Sequence, residues 1–477
     1  MVVGEIAEPF DLVVVGAGPG GYVAALHGAR LGRRVALVDR AGAQGVGGVC
    51  LRTGCIPSKA LIEAAELKAR IGGAKTLGLK ARPGGVDLKR FQAWKNGLVE
   101  RLTDGVRGLL KAAGVEVISG ELRLTGGDSG VIETTDGQAR FLNFQDLVLA
   151  TGSRPAALPE LPFDHRRVLD SSDALDLEAL PTTLAIVGAG YIGLEIGTAF
   201  AKLGSRVAIV EAEPAILPNL ERRLVRPVEK RLEALGVEVL GGTEVRGFAD
   251  GRLELEGKGG TRLLEVETVV VAVGRRANTD DLGLAAAGIE ADAEGRLMVA
   301  ADRRLAPHIA AIGDITPGPA LAHKAMAEAT VAVEALSGRR AAFQPAAIPA
   351  VVFSDPEIAT AGLSAEAAAA QGIDVRVADV PIASSGRAAT LDAHQGFMQV
   401  VAERGDGAVL GVHIVGPHAS ELIAEGVLAI EMGASLEDLA LTIHPHPTLS
   451  EQYREAAHLA LGRPLHMSLV SGQQGNP

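Results

Sequence analysis

Residues 11–40 read DLVVVGAGPGGYVAALHGARLGRRVALVDR. An apolar strand, Leu12–Val15, runs into Gly16-x-Gly18-x-x-Gly21. A small-residue helix follows, and a second apolar strand ends at Asp39. Residues 184–212, LAIVGAGYIGLEIGTAFAKLGSRVAIVEA, repeat this without a gap at an offset of 172 residues (188 − 16). Gly188, Gly190, Gly193 and Glu211 take the corresponding places, and in both copies the acid stands 18 residues after the last glycine (39 − 21; 211 − 193). A lone G-x-G-x-x-G is a weak signal, whereas strand, glycines, helix, strand and acid together are a strong one. The glycines make a tight turn and let the backbone approach a pyrophosphate. The helix N-terminus adds partial positive charge, and the acid accepts hydrogen bonds from a ribose diol. The alternative, a pair of ordinary strand–helix turns, is not expected to carry the full pattern twice.

Two dinucleotides on one chain imply electron transfer between them. At the second site Glu211-Ala-Glu213 would confront a 2′-phosphate with two carboxylates, and no arginine follows until Arg222, so NAD is expected rather than NADP.

The 477 residues suggest roughly three domains. The chain is 47% hydrophobic but only 3% aromatic, so its cores must be aliphatic, as in sheets covered by helices. A formal net charge of −12 with no basic stripe argues against nucleic acid. The start, MVVGEIAEPFDLVVVGAG, lacks the charged n-region and cleavage site of a signal peptide, and no run reaches the ~18 apolar residues of a membrane span. The expected location is cytoplasmic. There a structural disulfide is improbable, and two close cysteines point to redox or metal chemistry.

Those cysteines are the only two in the chain, Cys50 and Cys55, in GGVCLRTGCIPSKAL (47–61). Five residues of ideal helix rise roughly 7.5 Å, and a disulfide needs Cα atoms within about 7 Å. The pair can therefore bridge only if the chain is irregular between them, which Gly54 would permit. Pro57 suits the first turn of a helix, and a thiol near a helix N-terminus ionises more easily. Two buried structural cysteines are the bland alternative. A metal site would want more ligands, and no histidine is close in sequence, so no metal is expected. A dithiol needs a proton acceptor. The segment TIHPHPTLSEQYREAAH offers His446, followed five residues later by Glu451, a carboxylate able to hold the imidazole in one tautomer.

GGVCLRTGCIPSKAL, ATGSRP (150–155), GAGYIGLE (188–195), IAAIGD (309–314), LAHKA (321–325), IPAVVFSDPEIATAGL (348–363) and HPHPTLSE (444–451) together resemble the FAD-dependent pyridine nucleotide–disulfide oxidoreductases, in their dihydrolipoamide dehydrogenase branch. The resemblance spans about residues 10–462. It implies an α/β fold of two Rossmann-like dinucleotide-binding domains, for FAD and NAD, with a C-terminal α+β dimerisation domain. The expected boundaries are 1–153 with 280–347 for FAD, 154–279 for NAD, 348–462 for the interface and 463–477 for a tail, whose SGQQGNP end reads as disordered. The first strand starts by Asp11, so no fused lipoyl domain is expected ahead of it.

The resemblance also implies roles for residues. Cys50 and Cys55 form a redox disulfide, Cys55 facing the flavin and Cys50 exchanging with substrate. His446 is the base and Glu451 its partner. Lys59 approaches the flavin and pairs with Glu195. Gly16, Gly18, Gly21, Asp39, Gly48, Gly120, Thr151, Gly152, Gly313 and Asp314 belong to the FAD site, with the backbone at Leu321, Ala322 and His323 beside the ring. Gly188, Gly190, Gly193, Glu211, Val245 and Gly274 belong to the NAD site. The implied activity is oxidation of protein-bound dihydrolipoamide with reduction of NAD. The implied partners are a second copy, lipoyl domains and the core acyltransferase of a 2-oxoacid dehydrogenase complex, with glycine cleavage an alternative setting. Three positions depart from the pattern: Asp39 for glutamate, Val49 for threonine and Ala277 for proline. The glycine-rich AGAQGVGG (41–48) is a further departure. Rival readings are another disulfide reductase of the family, or a non-catalytic redox-sensing or scaffolding flavoprotein. The acids at 211 and 213, the lack of a C-terminal cysteine pair and the intact Cys50, Cys55, His446 and Glu451 weigh against them.

Overall fold

The computed structural model describes residues 7–467; the SGQQGNP end lies outside the described residues. The chain divides into two compact units, one of 7–67, 79–180 and 271–344, the other of 68–78, 181–270 and 345–467.

In the first unit the strands are, in chain order, β1 (Glu8–Val15), β2 (Val35–Asp39), β3 (Glu116–Leu124), β4 (Ser129–Thr134) and β5 (Ala139–Leu149). β1 lies parallel between β2 and β5. β3 pairs parallel with β2, and Ile309–Ala311 with the far side of β5. β4 runs antiparallel to the second half of β3 and the first half of β5. The strand LVVV is buried on both faces, which is why it reads as a continuous apolar run rather than an alternation. Leu12 and Val14 join the core under the helix α1 (Pro19–Arg30), while Val13 and Val15 join the opposite core with Ile118, Ile132 and Leu297. Three further helices matter to the site: α2 (Gly48–Arg52), α3 (Cys55–Gly73) and the 25-residue α4 (Leu88–Ala112).

The second unit repeats the motif. Glu238–Gly241, Arg206–Glu211 and Thr183–Val187 are parallel neighbours, flanked by Thr268–Val271, and the helix Tyr191–Leu203 makes the crossover. A three-stranded meander, Thr243–Ala249, Arg252–Gly257 and Gly260–Glu265, follows. The same unit carries a five-stranded antiparallel sheet ordered Ala350–Val352, Glu357–Gly362, Val409–Gly416, Phe397–Glu403, Val375–Pro381. In sequence IPAVVFS (348–354), GFMQVVAE (396–403) and AVLGVHIVG (408–416) read as strands, and ASELIAEGVLAIEMG (419–433) and EQYREAAHLALG (451–462) as helices; all five form, the helices as Ala419–Glu431 and Glu451–Ala460. Asp355 ties this sheet to the helices Tyr191–Leu203 and Arg222–Ala234, pairing with Lys202 and Arg231, each at 2.7 Å. Among the described residues no helix is long and apolar enough to cross a membrane.

Tyr453 locks the two C-terminal helices together. It is fully buried, its hydroxyl donates to the Leu422 carbonyl at 2.7 Å, and it accepts the Gly426 N–H at 3.1 Å. Burial pushes its ionisation well above the ordinary tyrosine range. Tyr453→Phe is expected to cost about 1–2 kcal/mol, read as a lower urea midpoint with an unchanged far-UV spectrum. An unchanged midpoint would show the hydroxyl to be dispensable.

Candidate active site

The two glycine turns are built alike. A Cβ on Gly21 would stand 1.7 Å from the Gly16 carbonyl oxygen, and one on Gly193 2.0 Å from that of Gly188, so each helix start rests directly on its own turn. A Cβ on Gly18 or Gly190 would meet nothing within 4 Å, and no side chain caps either helix. Each turn thus leaves room beside an uncapped helix N-terminus, which fits an anionic dinucleotide. The likeness extends to the acids. Asp39 accepts the N–H of Ala17 at 2.8 Å and of Ala41 at 3.0 Å; Glu211 accepts the N–H of Ala189 at 2.6 Å and of Glu213 at 3.0 Å. Each acid therefore holds the residue between the first two glycines, a task the sequence reading did not assign.

The glycine-rich 41–48 segment wraps around Asp39. Its 3₁₀ turn, Gly42–Gly45, is held from α4 by Arg107, which donates to the Ala43 carbonyl at 2.7 Å and to Gln44 Oε1 at 2.9 Å. The Gly47 N–H then donates to the Ala17 carbonyl at 2.9 Å, and a Cβ on Gly48 would stand 2.6 Å from the Gly18 Cα. The cysteine segment is thereby docked on the first glycine turn.

Cys50 lies on α2 and Cys55 opens α3, with Thr53 and Gly54 breaking the helix between them. The two form a disulfide with Cα atoms 4.5 Å apart. Gly54 is needed for space rather than for a left-handed turn: a Cβ there would stand 3.0 Å from the Val49 carbonyl oxygen. Cys50 is half-buried, Cys55 is exposed, and Pro57 falls in the first turn of α3. Lys59 lies one turn further along α3 and contacts Ser58 Oγ at 3.4 Å.

Asp314 accepts from the Ser153 hydroxyl at 2.5 Å, and Arg275 in turn donates to that hydroxyl at 2.7 Å and to the Ser153 carbonyl at 2.6 Å. Neither Ser153 nor Arg275 is singled out in the sequence, although Ser153 lies within ATGSRP and Arg275 follows Gly274. Thr151 and Gly152 are stitched to Asn278, whose N–H donates to the Gly152 carbonyl at 2.9 Å. Leu321 forms the N-cap of the helix Ala322–Leu336, which begins with Ala322 and His323. Gly313 has φ +78°. Gly120 sits where β4 crosses: a Cβ would stand 2.5 Å from the Glu133 carbonyl oxygen, so strand packing alone demands glycine there. Val49 is exposed, and Ala277 is buried opposite Ser153.

In the second unit Glu195 is buried and accepts the Phe353 N–H at 3.1 Å. Val245 is buried on the first strand of the meander. In the first unit Gly274, at φ +139°, accepts the Ala156 N–H at 3.0 Å. His446 Nδ1 lies 2.9 Å from Glu451 Oε1, and the Thr448 N–H donates to Glu451 Oε2 at 2.8 Å. An ionised carboxylate only accepts, so Nδ1 carries the proton and Nε2 is the acceptor nitrogen. The imidazole is 80% exposed. Partial burial pushes the Glu451 carboxyl upward, but the Thr448 amide and the His446 ring outweigh it and hold it below the usual glutamate range. Among the described residues no three histidine, cysteine or acidic side chains gather as a metal site.

Residues 10–329 match the family model described as pyridine nucleotide-disulphide oxidoreductase, and residues 348–457 match that family's dimerisation domain. The chain is 45% identical to a dihydrolipoyl dehydrogenase of Geobacillus stearothermophilus, over 98% of this chain and 99% of that one. It is 46% identical to a dihydrolipoyl dehydrogenase of Halobacterium salinarum, with the same coverage. Among solved structures it is similar to LpdA from Mycobacterium tuberculosis, with a TM-score of 0.88, 28% identity and coverage of 95% of this chain and 99% of that one.

Because the folded-state ionisation of Glu451 is depressed, its stabilising effect is present above the unfolded value near 4.5 and is lost as pH falls through the lower folded value. The stability gap between wild type and Glu451→Gln is therefore expected to be open at pH 7 and to narrow progressively as pH falls below about 4.5, by urea unfolding at each pH. A gap independent of pH would show that the carboxylate charge plays no part.

Proposed function

The chain belongs to the pyridine nucleotide–disulphide oxidoreductases, and we propose that it oxidises protein-bound dihydrolipoyl groups and reduces NAD. The observation that carries this reading is the Cys50–Cys55 disulfide, docked through Gly48 on a dinucleotide turn. The full-length identity to two proteins named dihydrolipoyl dehydrogenase supports the substrate.

In the proposed reaction a substrate thiol gives its proton to His446 Nε2, and the thiolate attacks Cys50 Sγ. The Cys50–Cys55 bond breaks and Cys55 leaves as a thiolate. Its place at the N-terminus of the 19-residue α3 stabilises that charge, and the better leaving thiolate directs attack to the other sulfur. The second substrate thiol then attacks the mixed disulfide, releasing the substrate as a cyclic disulfide and leaving the chain two electrons richer as a dithiol. Glu451 keeps the His446 proton on Nδ1, so that Nε2 alone exchanges protons with substrate. When bound, FAD supplies the hydride chemistry that passes the two electrons to NAD.

The first glycine turn, Asp39, Gly48, Thr151, Gly152, Gly313, Asp314 and residues 321–323 would hold FAD; the second turn, Glu211, Val245 and Gly274 would hold NAD. We take the domains as 1–153 with 280–347, 154–279 and 348–462, the last joining a second copy. A lipoyl domain on a 2-oxoacid dehydrogenase core is the macromolecular substrate.

Purified protein given dihydrolipoamide and NAD is expected to form NADH, and Cys50→Ser to abolish this. NADP is expected to serve at least tenfold less well in kcat/KM, with Glu211→Ala/Glu213→Ala narrowing the gap. No turnover with dihydrolipoamide would sink the substrate assignment, and equal use of NADP would sink the nucleotide assignment. If the base acts across a dimer, co-expressing Cys55→Ala with His446→Ala chains restores one intact site in each mixed dimer. Random pairing then returns roughly a quarter of wild-type sites. No recovery from confirmed mixed dimers would mean that base and disulfide come from one chain.

A further inference from the structure

The turn after the strand Ile309–Ala311 is gripped by a buried charge cluster that none of the roles above uses. Glu328 is completely buried and Lys324 nearly so; they lie one turn apart on the helix Ala322–Leu336. Lys324 Nζ is 3.0 Å from Glu328 Oε1, and Arg303 reaches the same oxygen at 2.9 Å. The other Glu328 oxygen accepts the Gly313 N–H at 2.7 Å, while Lys324 donates to the Gly313 carbonyl at 3.2 Å and to Thr316 Oγ1 at 3.0 Å. One ion pair thus holds both backbone groups of a single residue, at a φ that favours glycine.

Charges taken out of water are costly even when paired, and apolar residues of similar volume often serve stability as well. The cost is visible here: Arg303 sits at φ +66°, and its Nε is buried without a hydrogen-bond partner. Such strain at a non-glycine residue is a reason to look for function. The residue following the gripped glycine is Asp314, whose carboxylate is oriented from the other side by Ser153.

We propose that the Lys324–Glu328 pair positions Asp314, fixing the Gly313 peptide groups so that the carboxylate is presented to the flavin nucleotide. The inference deepens the FAD reading of this turn and rests on it. Arg303 neutralises Glu328 at Oε1, whereas the Gly313 N–H is held by Oε2 and the Gly313 carbonyl by Lys324, which separates positioning from simple charge balance.

The test uses full-length Lys324→Met and Arg303→Met, each of which leaves Glu328 one cationic partner. FAD dissociation constants are measured by flavin fluorescence on reconstituting FAD-stripped protein, and thermal unfolding of the same stripped proteins is followed alongside. Lys324→Met is expected to weaken FAD about tenfold, and Arg303→Met less than about twofold, at similar unfolding temperatures of the stripped variants. Equal weakening by both, or a Lys324→Met constant within about twofold of wild type, would overturn the positioning role and leave the FAD assignment standing. A wild-type protein that takes up no FAD would overturn both.

Discussion

Gly48 pressed against Gly18 is the contact on which the site depends. A side chain on Gly48 would separate the cysteine segment from the dinucleotide turn, because its Cβ would stand 2.6 Å from the Gly18 Cα. The Gly47–Ala17 hydrogen bond sets the register of the contact. The disulfide and the first glycine turn are therefore parts of one backbone assembly, with Arg107 of α4 bracing the loop from outside. Where two redox groups must meet at fixed distance, main-chain packing is a better ruler than long side chains, which keep rotamer freedom. This explains why a departure at Val49 is tolerable: its side chain is exposed and takes no part in the contact.

The two acids show how one residue serves both structure and ligand. Asp39 and Glu211 each spend hydrogen bonds on the amide between the first two glycines, so the acid that would meet a ribose also shapes the turn that would meet the pyrophosphate. The tasks are coupled: removing the acid would loosen the turn even before a nucleotide arrives. The shorter Asp39 manages this because the glycine-rich loop closes around it. A Cβ on Gly45 would overlap its Oδ1 at 1.8 Å, so the loop can come this close only without a side chain there. The 41–48 departure and the Asp39 departure thus meet in one contact.

Part of what the sequence made legible follows from periodicity and spacing, and the rest from the family resemblance. The repeat at 16–39 and 188–211 needs only local geometry, and helix rise says that Cys50 and Cys55 can bridge only across a break in the helix. Two strands of the C-terminal sheet, Glu357–Gly362 and Val375–Pro381, went unread because the first hides inside a motif quoted for family likeness and the second alternates weakly, in VRVADVP. The Ser153–Asp314 and Gly313–Glu328 hydrogen bonds were illegible for a different reason. The first joins residues 161 apart. The second depends on a helix turning its charged residues inward, whereas lysine and glutamate in sequence read as a solvated face. Gly120 was read as a ligand contact, yet the crossing of β4 is enough to demand glycine there.

The HPHP segment holds two histidines, His444 and His446, each followed by a proline but wired differently. The His444 side chain is buried, with Nε2 on Glu425 at 2.7 Å and Nδ1 on the Thr442 carbonyl at 3.2 Å. Both of its nitrogens face acceptor oxygens, so neither can take a proton from a third group without breaking an anchor. His446 commits one nitrogen to Glu451 and leaves the other on an exposed ring. The difference is one of wiring rather than residue type. A histidine bonded at both nitrogens fixes a loop, and the neighbour bonded at one has a nitrogen left for chemistry. In the proposed reaction the anchored residue would therefore matter as much as the reactive one: His444 ties the loop to the helix Ala419–Glu431, and Glu451, the first residue of the helix Glu451–Ala460, would orient the base against that frame.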